Sequence, residues 1–299
     1  MHIFLKLISQ ILIKFRSYET PFKRRLYKFL FKKKKHQIHV EGNKKIKDGF
    51  FKCTFEELKK NNLENEINDV FLKAKNIFDN PDNINSTGTK KYLRNFLENG
   101  DEKSIKTFLD FVLNEYFVTT VKEYLEEEPL LVELKLLLSP SNLSLDQQFK
   151  GSQLFHRDFD DVNIVKLFFC LSDVDDESGP LQILNSKISN QITQNNRYNF
   201  SMHSDKVENS INKEKDIITL KGKRGDCFLV DTSKCFHRGS RSVSKNRYIL
   251  YANFSTRSNF RFPPIFLNNK NKAIISNHSP LAKYDFLVDK KKSFYLRNI

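Results

Sequence analysis

A series of short β-rich segments between residues 130 and 255 limits the folds that this chain can adopt. The segments are rich in β-branched and aromatic residues, and turn signals separate them, including ESGP at 177–180 and RGD at 224–226. Most neighbouring segments have no helical run of crossover length between them, which disfavours parallel βαβ units. We therefore predict an antiparallel barrel or a double-sheet jelly roll. The segments are LVELKLLLS, NIVKLFFCLSDV, GPLQIL, DIITL, DCFLVD and RYILYANFS.

The preceding residues, 55–135, show helical patterns instead. Helix-forming residues carry apolar side chains three and four positions apart, with loop signals at NPD 80–82 and NGD 99–101. The polar stretch 187–215 lies between two β-rich segments and is interpreted as a long insertion, which in a compact domain often forms a lid or a substrate loop. The predicted helical segments are FEELKK, NDVFLKAKNIF, KKYLRNFLEN, SIKTFLDFVLNEYF and TTVKEYLEEE.

Positive charge is concentrated near the N-terminus. The chain has a net charge of +15, and residues 1–50 contain 14 Lys and Arg against 3 Asp and Glu, which is +11 of that total. A nucleic-acid-binding domain is expected to carry its charge on the folded body. The distribution therefore argues against specific binding of nucleic acid.

Residues 1–15 carry apolar side chains at helical spacing, but Lys6 and Lys14 interrupt the pattern. The stretch is too short and too charged to span a bilayer, and it lacks the small-residue cleavage site of a signal peptide. Two interpretations are open. One is a helix that docks on the protein's own core. The other is an interfacial helix followed by the basic run Lys32–Lys35, which predicts peripheral association with an anionic membrane through residues 1–35.

The four cysteines, Cys53, Cys170, Cys227 and Cys235, include no pair with CxxC spacing. A protein of this size does not need disulfides, so we interpret the cysteines as small core residues in a reducing compartment. The predicted location is the cytoplasm.

The segment from Phe155 to Asp158 offers two metal ligands. In an extended strand, residues two apart point to the same face, so His156 and Asp158 converge while Arg157 turns away. A second imidazole would complete a facial triad of two histidines and one carboxylate, which leaves three coordination positions open and suits non-heme iron(II). Because an HxD pattern occurs by chance about once in a chain of this composition, its context has to support it.

His237 and Arg247 supply that context. His237 follows the DCFLVD segment, and Arg247 lies ten residues later at the start of the last β-rich segment. A guanidinium there can form a bidentate pair with a carboxylate. Arg241 competes for this role, but it lies in a polar turn, where a solvated side chain is expected. The ordered set of HxD, distal histidine and arginine is more specific than any of its parts.

Three blocks of the sequence resemble the phytanoyl-CoA dioxygenase-like family of iron(II)/2-oxoglutarate oxygenases. The resemblance runs from about residue 151 to 255. By position, it implies that His156, Asp158 and His237 bind the iron and that Arg247 binds the distal carboxylate of 2-oxoglutarate. The blocks are GSQLFHRDFDDVNIVKLFFCLSDVDDESGPLQIL, KGKRGDCFLVDTSKCFHRG and KNRYILYANF.

The resemblance also implies a fold and a reaction. The fold class is mainly β with flanking α-helices, a double-stranded β-helix preceded by a helical N-terminal region. The reaction uses Fe(II), 2-oxoglutarate and O2 to oxidise a small organic substrate, by default through hydroxylation, with 2-oxoglutarate converted to succinate and CO2. The predicted domains are a basic amphipathic arm at 1–50 and one oxygenase domain at 51–299, divided into helical support at 51–135, the β-helix at 136–262 and an extension at 263–299.

Several positions depart from the family pattern or add to it. Family members often carry Ser or Thr two residues past the distal histidine, where this chain has Gly239, so the adjacent Ser240 is the candidate for that contact with 2-oxoglutarate. Asp158 is present, whereas related halogenases lack this carboxylate, which favours oxygenation. Lys166 lies in a segment of buried character, where an unpaired lysine is costly, so it either binds a carboxylate of 2-oxoglutarate or substrate or reaches water. Gln153 is a further candidate for a hydrogen bond to either ligand.

Two other function classes are open. One is a non-catalytic protein on a β-helix scaffold that binds membranes or polyanions, and the other is a cupin-like metal isomerase or hydrolase that does not use 2-oxoglutarate. The intact set His156, Asp158, His237 and Arg247 disfavours the first class, and Arg247 disfavours the second. The fold does not identify the substrate.

Overall fold

The strands form two antiparallel sheets. The computed structural model describes residues 46–80, 92–97, 100–126, 129–142, 151–158, 161, 163–196 and 207–255. Within these ranges the strands are β1 (Phe50–Cys53), β2 (Arg94–Asn95), β3 (Leu130–Ser139), β4 (Ile164–Cys170), β5 (Leu181–Ile183), β6 (Ile218–Leu220), β7 (Cys227–Asp231), β8 (His237–Gly239) and β9 (Arg247–Ser255).

The larger sheet has six strands in the order β1-β7-β4-β9-β3-β2. β3 and β9 pair along their whole lengths, from Leu130 opposite Ser255 to Ser139 opposite Arg247. β4 pairs on its other side with β7, so β4 and β9 are both central strands. Side chains from these central strands therefore have neighbours on both sides.

The smaller sheet has three strands in the order β6-β5-β8. In this sheet Ile183 lies opposite His237, and Leu181 lies opposite Gly239. An isolated antiparallel bridge joins His156 to His237, so the HxD segment continues the sheet beyond β8. The HxD segment, which the sequence predicted to be extended, therefore pairs with β8, the strand that carries His237.

The two sheets face each other across an apolar layer. Leu137, Phe228 and Ile249 of the larger sheet belong to one buried cluster with Ile183 and Leu220 of the smaller sheet. Residues whose side chains point to the other face of the larger sheet belong to a second buried cluster, which includes residues of the helices. Both faces of the larger sheet are therefore covered, which explains its nearly continuous hydrophobic strands. This arrangement confirms the predicted double-sheet jelly roll.

The helices begin at capping residues that the sequence supplies. Thr54 forms a capping box with Glu57, Asp101 accepts a hydrogen bond from the Ser104 backbone, and Asn114 accepts one from the Tyr116 backbone. The helices are α1 (Phe55–Lys60), α2 (Glu64–Phe78), α3 (Glu102–Val112), α4 (Glu115–Leu125), α5 (Ser186–Asn196) and α6 (Lys213–Asp216).

Aromatic contacts fix the helical layer on the outer face of the larger sheet. Phe169 of β4 stacks on Phe71 of α2 at 5.7 Å and meets Phe111 of α3 edge-on at 4.7 Å between ring centroids. Phe111 also contacts Phe117 of α4 edge-on. Two helices therefore pack directly on β4, and α4 packs on α3.

The helix predicted for KKYLRNFLEN is wrong over residues 92–97. These residues contain β2, which pairs with Leu137 and Leu138 at the edge of the larger sheet. The Asn95 side chain accepts hydrogen bonds from the backbone N–H groups of Leu97 and Leu136, which fixes a turn next to β3. Pairing with the neighbouring strand overrides the local helical pattern.

Two other predicted segments are subdivided in the structure. SIKTFLDFVLNEYF contains two helices, because Asn114 caps α4 immediately after α3 ends. The insertion 187–215 contains most of α5, where Ile192 packs with Phe155 and Phe236 in a third apolar cluster. The described beginning of the insertion is therefore a packed helix rather than a loop.

The basic arm up to residue 45 and the residues after 255 lie outside the described residues. The interfacial-helix hypothesis, the proposed domain limits and the extension at 263–299 therefore stay predictions. None of the described helices is both long enough and apolar enough to cross a membrane.

We expect the helical layer to contribute strongly to stability. Leu109 of α3 is fully buried, whereas Leu72 of α2 is 56% exposed. Leu109→Ala should lower the free energy of unfolding by about 2–5 kcal/mol because it leaves a cavity, and Leu72→Ala should change it by less than about 0.5 kcal/mol. Urea unfolding of both variants measures the difference. Equal effects would contradict the packing described for α3.

Candidate active site

The proposed ligands lie where the HxD segment meets the ends of β7 and β8. The backbone N–H of His156 donates to the His237 carbonyl at 3.1 Å, and the His237 N–H donates to the His156 carbonyl at 2.9 Å. The Asp158 N–H donates to the carbonyl of Thr232, immediately after β7, at 2.9 Å. These three hydrogen bonds align the HxD segment with both strands.

A buried turn between β7 and β8 supports this alignment. The Asp231 carboxylate accepts hydrogen bonds from Tyr124, from the backbone and hydroxyl of Ser233 and from the backbone of Lys234. The Arg157 Nε in turn donates to the Ser233 carbonyl at 2.6 Å. Arg157 therefore points away from the ligands, as predicted, and anchors the HxD segment to the turn.

His156, Asp158 and His237 form a group with the geometry of a metal site. Each offers one ligand atom, and these atoms lie within 4.8 Å of one another. His237 Nε2 is 3.7 Å from Asp158 Oδ2, and the imidazole centroids are 4.2 Å apart. Two imidazoles and one carboxylate match the facial triad of non-heme iron(II) sites. The structure thus brings the predicted ligands together.

The hydrogen bonds of both histidines prepare them for ligation. His156 Nδ1 is 2.8 Å from the Leu154 carbonyl, and His237 Nδ1 is 3.1 Å from the Cys235 carbonyl. Because a carbonyl oxygen only accepts, Nδ1 carries the proton and Nε2 keeps its lone pair. Such outer hydrogen bonds orient metal-binding histidines and raise their basicity.

The protonation states also suit a metal ion. Burial and the neighbouring His156 lower the pKa of His237 to about 3, so its imidazole is neutral at pH 7. Burial alone would raise the pKa of Asp158, but the Lys166 ammonium and the two imidazoles hold it well below the ordinary value. Asp158 is therefore an ionised carboxylate, and neither Asp158 nor His237 needs deprotonation at neutral pH before it binds a metal.

Lys166 is the close charged neighbour of Asp158. Its Nζ lies 2.5 Å from Asp158 Oδ2, which qualifies as an ion pair. The same oxygen is buried, and its geometry satisfies no directional hydrogen bond. We interpret the contact as a close ion pair, which a metal ion binding through this oxygen would displace.

Arg247 lies on the inner wall, where the two sheets approach each other. Its Nη2 donates to Ser139 Oγ at 3.0 Å, while its Nε is shielded from solvent without a hydrogen-bond partner. Burial lowers the pKa of Arg247 to about 10, so the guanidinium remains charged at neutral pH. In the part of the chain described, no carboxylate forms an ion pair with it. A half-buried guanidinium in this state is suited to an anionic ligand.

Gly239 leaves room beside this guanidinium. A Cβ added at Gly239 would lie 3.7 Å from Arg247 Nη2 and 3.9 Å from the Ser152 carbonyl. Gly239 is two residues after His237 on β8 and shares its face, at a spacing of about 7 Å along the strand. The space that a side chain would fill thus lies between the metal ligands and Arg247.

Comparison with known proteins supports the fold. No family model matches the chain, and no curated protein matches its sequence. EctD from S. alaskensis, in a structure with 2-oxoglutarate and 5-hydroxyectoine, matches with a TM-score of 0.50 at 13% identity, over 74% of this chain and 76% of EctD. The chain shares the fold of EctD. At this identity the likeness concerns the fold alone.

SnoN, a non-heme alpha ketoglutarate dependent epimerase from nogalamycin biosynthesis, is also similar. It matches with a TM-score of 0.47 at 14% identity, over 70% of this chain and 76% of SnoN. HygX from Streptomyces hygroscopicus, in a structure with nickel, 2-oxoglutarate and hygromycin B, matches with a TM-score of 0.45 at 13% identity, over 70% of this chain and 83% of HygX.

The structure places the other candidate residues, Gln153, Ser240 and Arg241, in different surroundings. Gln153 is buried in a short 3-10 turn, Gly151–Gln153, that lies against β8. The Ser240 hydroxyl donates to the Pro180 carbonyl at 2.6 Å, so it can offer a ligand only its lone pairs. Arg241 is half-buried in the segment between β8 and β9 rather than solvated as predicted.

The inner wall also carries a polar group that the sequence patterns did not identify. Glu133 accepts hydrogen bonds from Lys135 at 2.5 Å and from Tyr251 Oη at 3.0 Å. Glu133 and Asn253 are opposite each other in the pairing of β3 with β9, and Lys166 is opposite Asn253 on the other side. The alternation of charged residues in LVELKLLLS was the signal for this group, but it pointed equally well to a solvated strand face.

We expect metal binding to depend on Asp158. Asp158→Ala should weaken binding of Fe(II) or Co(II) by more than about 100-fold, because loss of an outer-shell partner alone costs about 10–100-fold. Asp176→Ala removes an exposed carboxylate that pairs with Lys221, and it should leave binding unchanged. Anaerobic equilibrium dialysis measures both affinities. Wild-type affinity in Asp158→Ala would contradict the metal assignment.

Proposed function

We propose that this protein is an Fe(II)/2-oxoglutarate-dependent dioxygenase that hydroxylates a small organic substrate, and that it belongs with the phytanoyl-CoA dioxygenase-like oxygenases. One observation carries the proposal. His156, Asp158 and His237 form a two-histidine, one-carboxylate group, and the Arg247 guanidinium, which lacks an acidic partner in the described residues, lies beside Gly239, two residues after His237 on β8. A site for metal alone would gain nothing from that buried cation.

The spacing of the two features supports 2-oxoglutarate as the ligand. The guanidinium is beside Gly239, about 7 Å along β8 from His237. A five-carbon diacid that chelates the metal at one end reaches this distance with its other carboxylate. Ser139 Oγ, which accepts from Arg247 Nη2, would fix the guanidinium for that contact. Gln153 stays a candidate for a further hydrogen bond, whereas the Ser240 hydroxyl would have to leave the Pro180 carbonyl before it could donate to 2-oxoglutarate.

The chain's own residues would bind, orient and exclude water. His156, Asp158 and His237 would hold the metal, each through one ligand atom. The apolar layer of Leu137 and Ile249 keeps water away from the inner end of the site. When bound, iron(II), 2-oxoglutarate and O2 supply the oxidant for hydroxylation of a C–H bond, with release of succinate and CO2.

The cupin-like alternative makes a different prediction. A metal isomerase or hydrolase on this fold would use the three ligands and would not need a dicarboxylate near Arg247. A non-catalytic scaffold would have no reason to keep the Asp158 carboxylate ionised beside a neutral His237 imidazole, as metal binding requires. The proposal therefore depends on 2-oxoglutarate binding to the metal-loaded protein.

We expect the purified protein to show the weak visible charge-transfer band of an iron(II)–2-oxoglutarate chelate when both are added without oxygen. Admission of O2 with substrate present should then give succinate in an amount that follows substrate oxidation. If iron binds but no band forms, the 2-oxoglutarate assignment is wrong and the cupin-like class is favoured. If iron does not bind, the binding-protein class is favoured.

Arg247 should control the affinity for 2-oxoglutarate. Arg247→Gln should raise the Kd of 2-oxoglutarate by at least about 30-fold, because removal of one partner of a buried charge pair costs about 2–5 kcal/mol. Arg241→Gln is the matched control and should bind like wild type. The Kd is read from the charge-transfer band under anaerobic conditions. If Arg241→Gln lowers the affinity for 2-oxoglutarate more than Arg247→Gln does, the contact belongs to Arg241.

A further inference from the structure

Lys166 has no described role once a metal is bound. Its ammonium pairs with Asp158 at 2.5 Å, and in the described residues this is its only ion pair. Its other contact is with the ring face of Tyr251, at 5.6 Å from Nζ to the centroid. When Asp158 ligates a metal, its negative charge is shared with a dication, and the metal repels the ammonium. Lys166 then needs another anion.

Glu133 does not fill that need. One of its carboxylate oxygens is bound to Lys135 Nζ, and the other accepts from Tyr251 Oη. Burial alone would raise the pKa of Glu133, but the Lys135 ammonium, with help from Lys166 and Tyr251, holds it below the ordinary value. Glu133 and Lys135 thus form a neutral pair on the wall, and no ion pair joins Glu133 to Lys166.

The formal charges at the site leave one positive charge unbalanced. The two charges of iron(II) and one each from Arg247 and Lys166 make four positive charges. Asp158 contributes one negative charge and 2-oxoglutarate contributes two. Since unbalanced charge is costly in a site of low polarity, a monoanionic ligand would neutralise it.

The wall around Lys166 also offers unused hydrogen-bond acceptors. Asn253 lies directly opposite Lys166 in the pairing of β4 with β9, so their side chains share the inner face. Its Oδ1 is buried without a hydrogen-bond partner, as is the Oγ1 of Thr232, whose carbonyl accepts from the Asp158 backbone. The Thr232 hydroxyl can also donate to a carboxylate, whereas the Asn253 oxygen only accepts and would bind a hydrogen-bond donor elsewhere on the ligand.

We propose that the substrate is a small monoanionic carboxylate whose carboxylate group binds the Lys166 ammonium beside the metal, next to Asn253. This inference rests on the proposed function, because it takes the metal and 2-oxoglutarate as bound. It makes Lys166 the specificity-determining residue for the substrate, while Arg247 serves the cosubstrate. Lys166 meets the substrate directly, and the carboxylate fixes which C–H bonds of the substrate face the metal.

A matched panel of probes tests this assignment. Butanoate, butanamide and butylamine have similar shapes and differ in charge. Each is titrated by calorimetry into protein loaded with Zn(II) and saturating 2-oxoglutarate. We expect butanoate to bind at least about tenfold more tightly than butanamide, since a hydrogen bond to a charged group contributes about 1.5–3 kcal/mol. Butylamine should bind more weakly than butanamide.

Variants show whether Lys166 causes the preference. Lys166→Met should make butanoate and butanamide bind equally, and Lys166→Arg should retain the preference. Lys221→Met removes an exposed lysine that also pairs with one carboxylate, Asp176, and should behave like wild type. Thermal unfolding of each loaded variant establishes that it is folded.

Several outcomes would overturn the inference. They are equal binding of butanoate and butanamide by the wild type, a preference that survives in Lys166→Met, and the absence of saturable binding of butanoate. Weaker 2-oxoglutarate binding in Lys166→Met, with the butanoate preference unchanged, would assign Lys166 to the cosubstrate instead. An iron(II)–2-oxoglutarate band with no carboxylate preference overturns this inference alone, whereas absence of the band in the wild type overturns the proposed function as well.

Discussion

The backbone pairing of His156 with His237 is the interaction on which the site depends. Two residues far apart in sequence exchange both main-chain hydrogen bonds, and the same alignment brings Asp158 beside Thr232. Because the alignment uses main-chain groups, the side chains of both histidines can present Nε2 on one face. The neighbouring carbonyls of Leu154 and Cys235 then fix both rings. Ligand geometry here is a consequence of strand pairing.

The interior of the jelly roll is divided along β9. Arg247 and Ile249 lie at the apolar inner end, and Tyr251 and Asn253 belong to the polar end with Lys166. The proposed dicarboxylate cosubstrate fits the first region, because the Arg247 guanidinium is partly buried there. No carboxylate of the described residues forms an ion pair with it. A charged substrate fits the second. The alternation of a single strand thus separates the two proposed anion-binding groups, Arg247 and Lys166, along one wall.

Local sequence patterns predicted much of the fold and of the site. The turn-separated β-rich segments indicated β3, β4, β5, β6, β7 and β9, and the ordered set of HxD, His237 and Arg247 indicated the ligands. Three short strands were missed, because two to four residues carry too little periodicity to recognise. The helix predicted at 92–97 was wrong because Asn95 accepts a hydrogen bond from the backbone of β3. The residues next to Asn95 in the sequence do not reveal this contact.

The sequence by itself determined which residues could act as ligands and that their strands would be antiparallel, because both follow from residue chemistry and local periodicity. Only the tertiary structure decided how the charges are paired. Lys166 forms an ion pair with Asp158 from a neighbouring segment, and Lys135 and Tyr251 each bind one oxygen of Glu133. Among the described residues, no carboxylate forms an ion pair with Arg247. The physical reason is that Coulomb energy and burial depend on distances between strands, and sequence spacing does not define those distances.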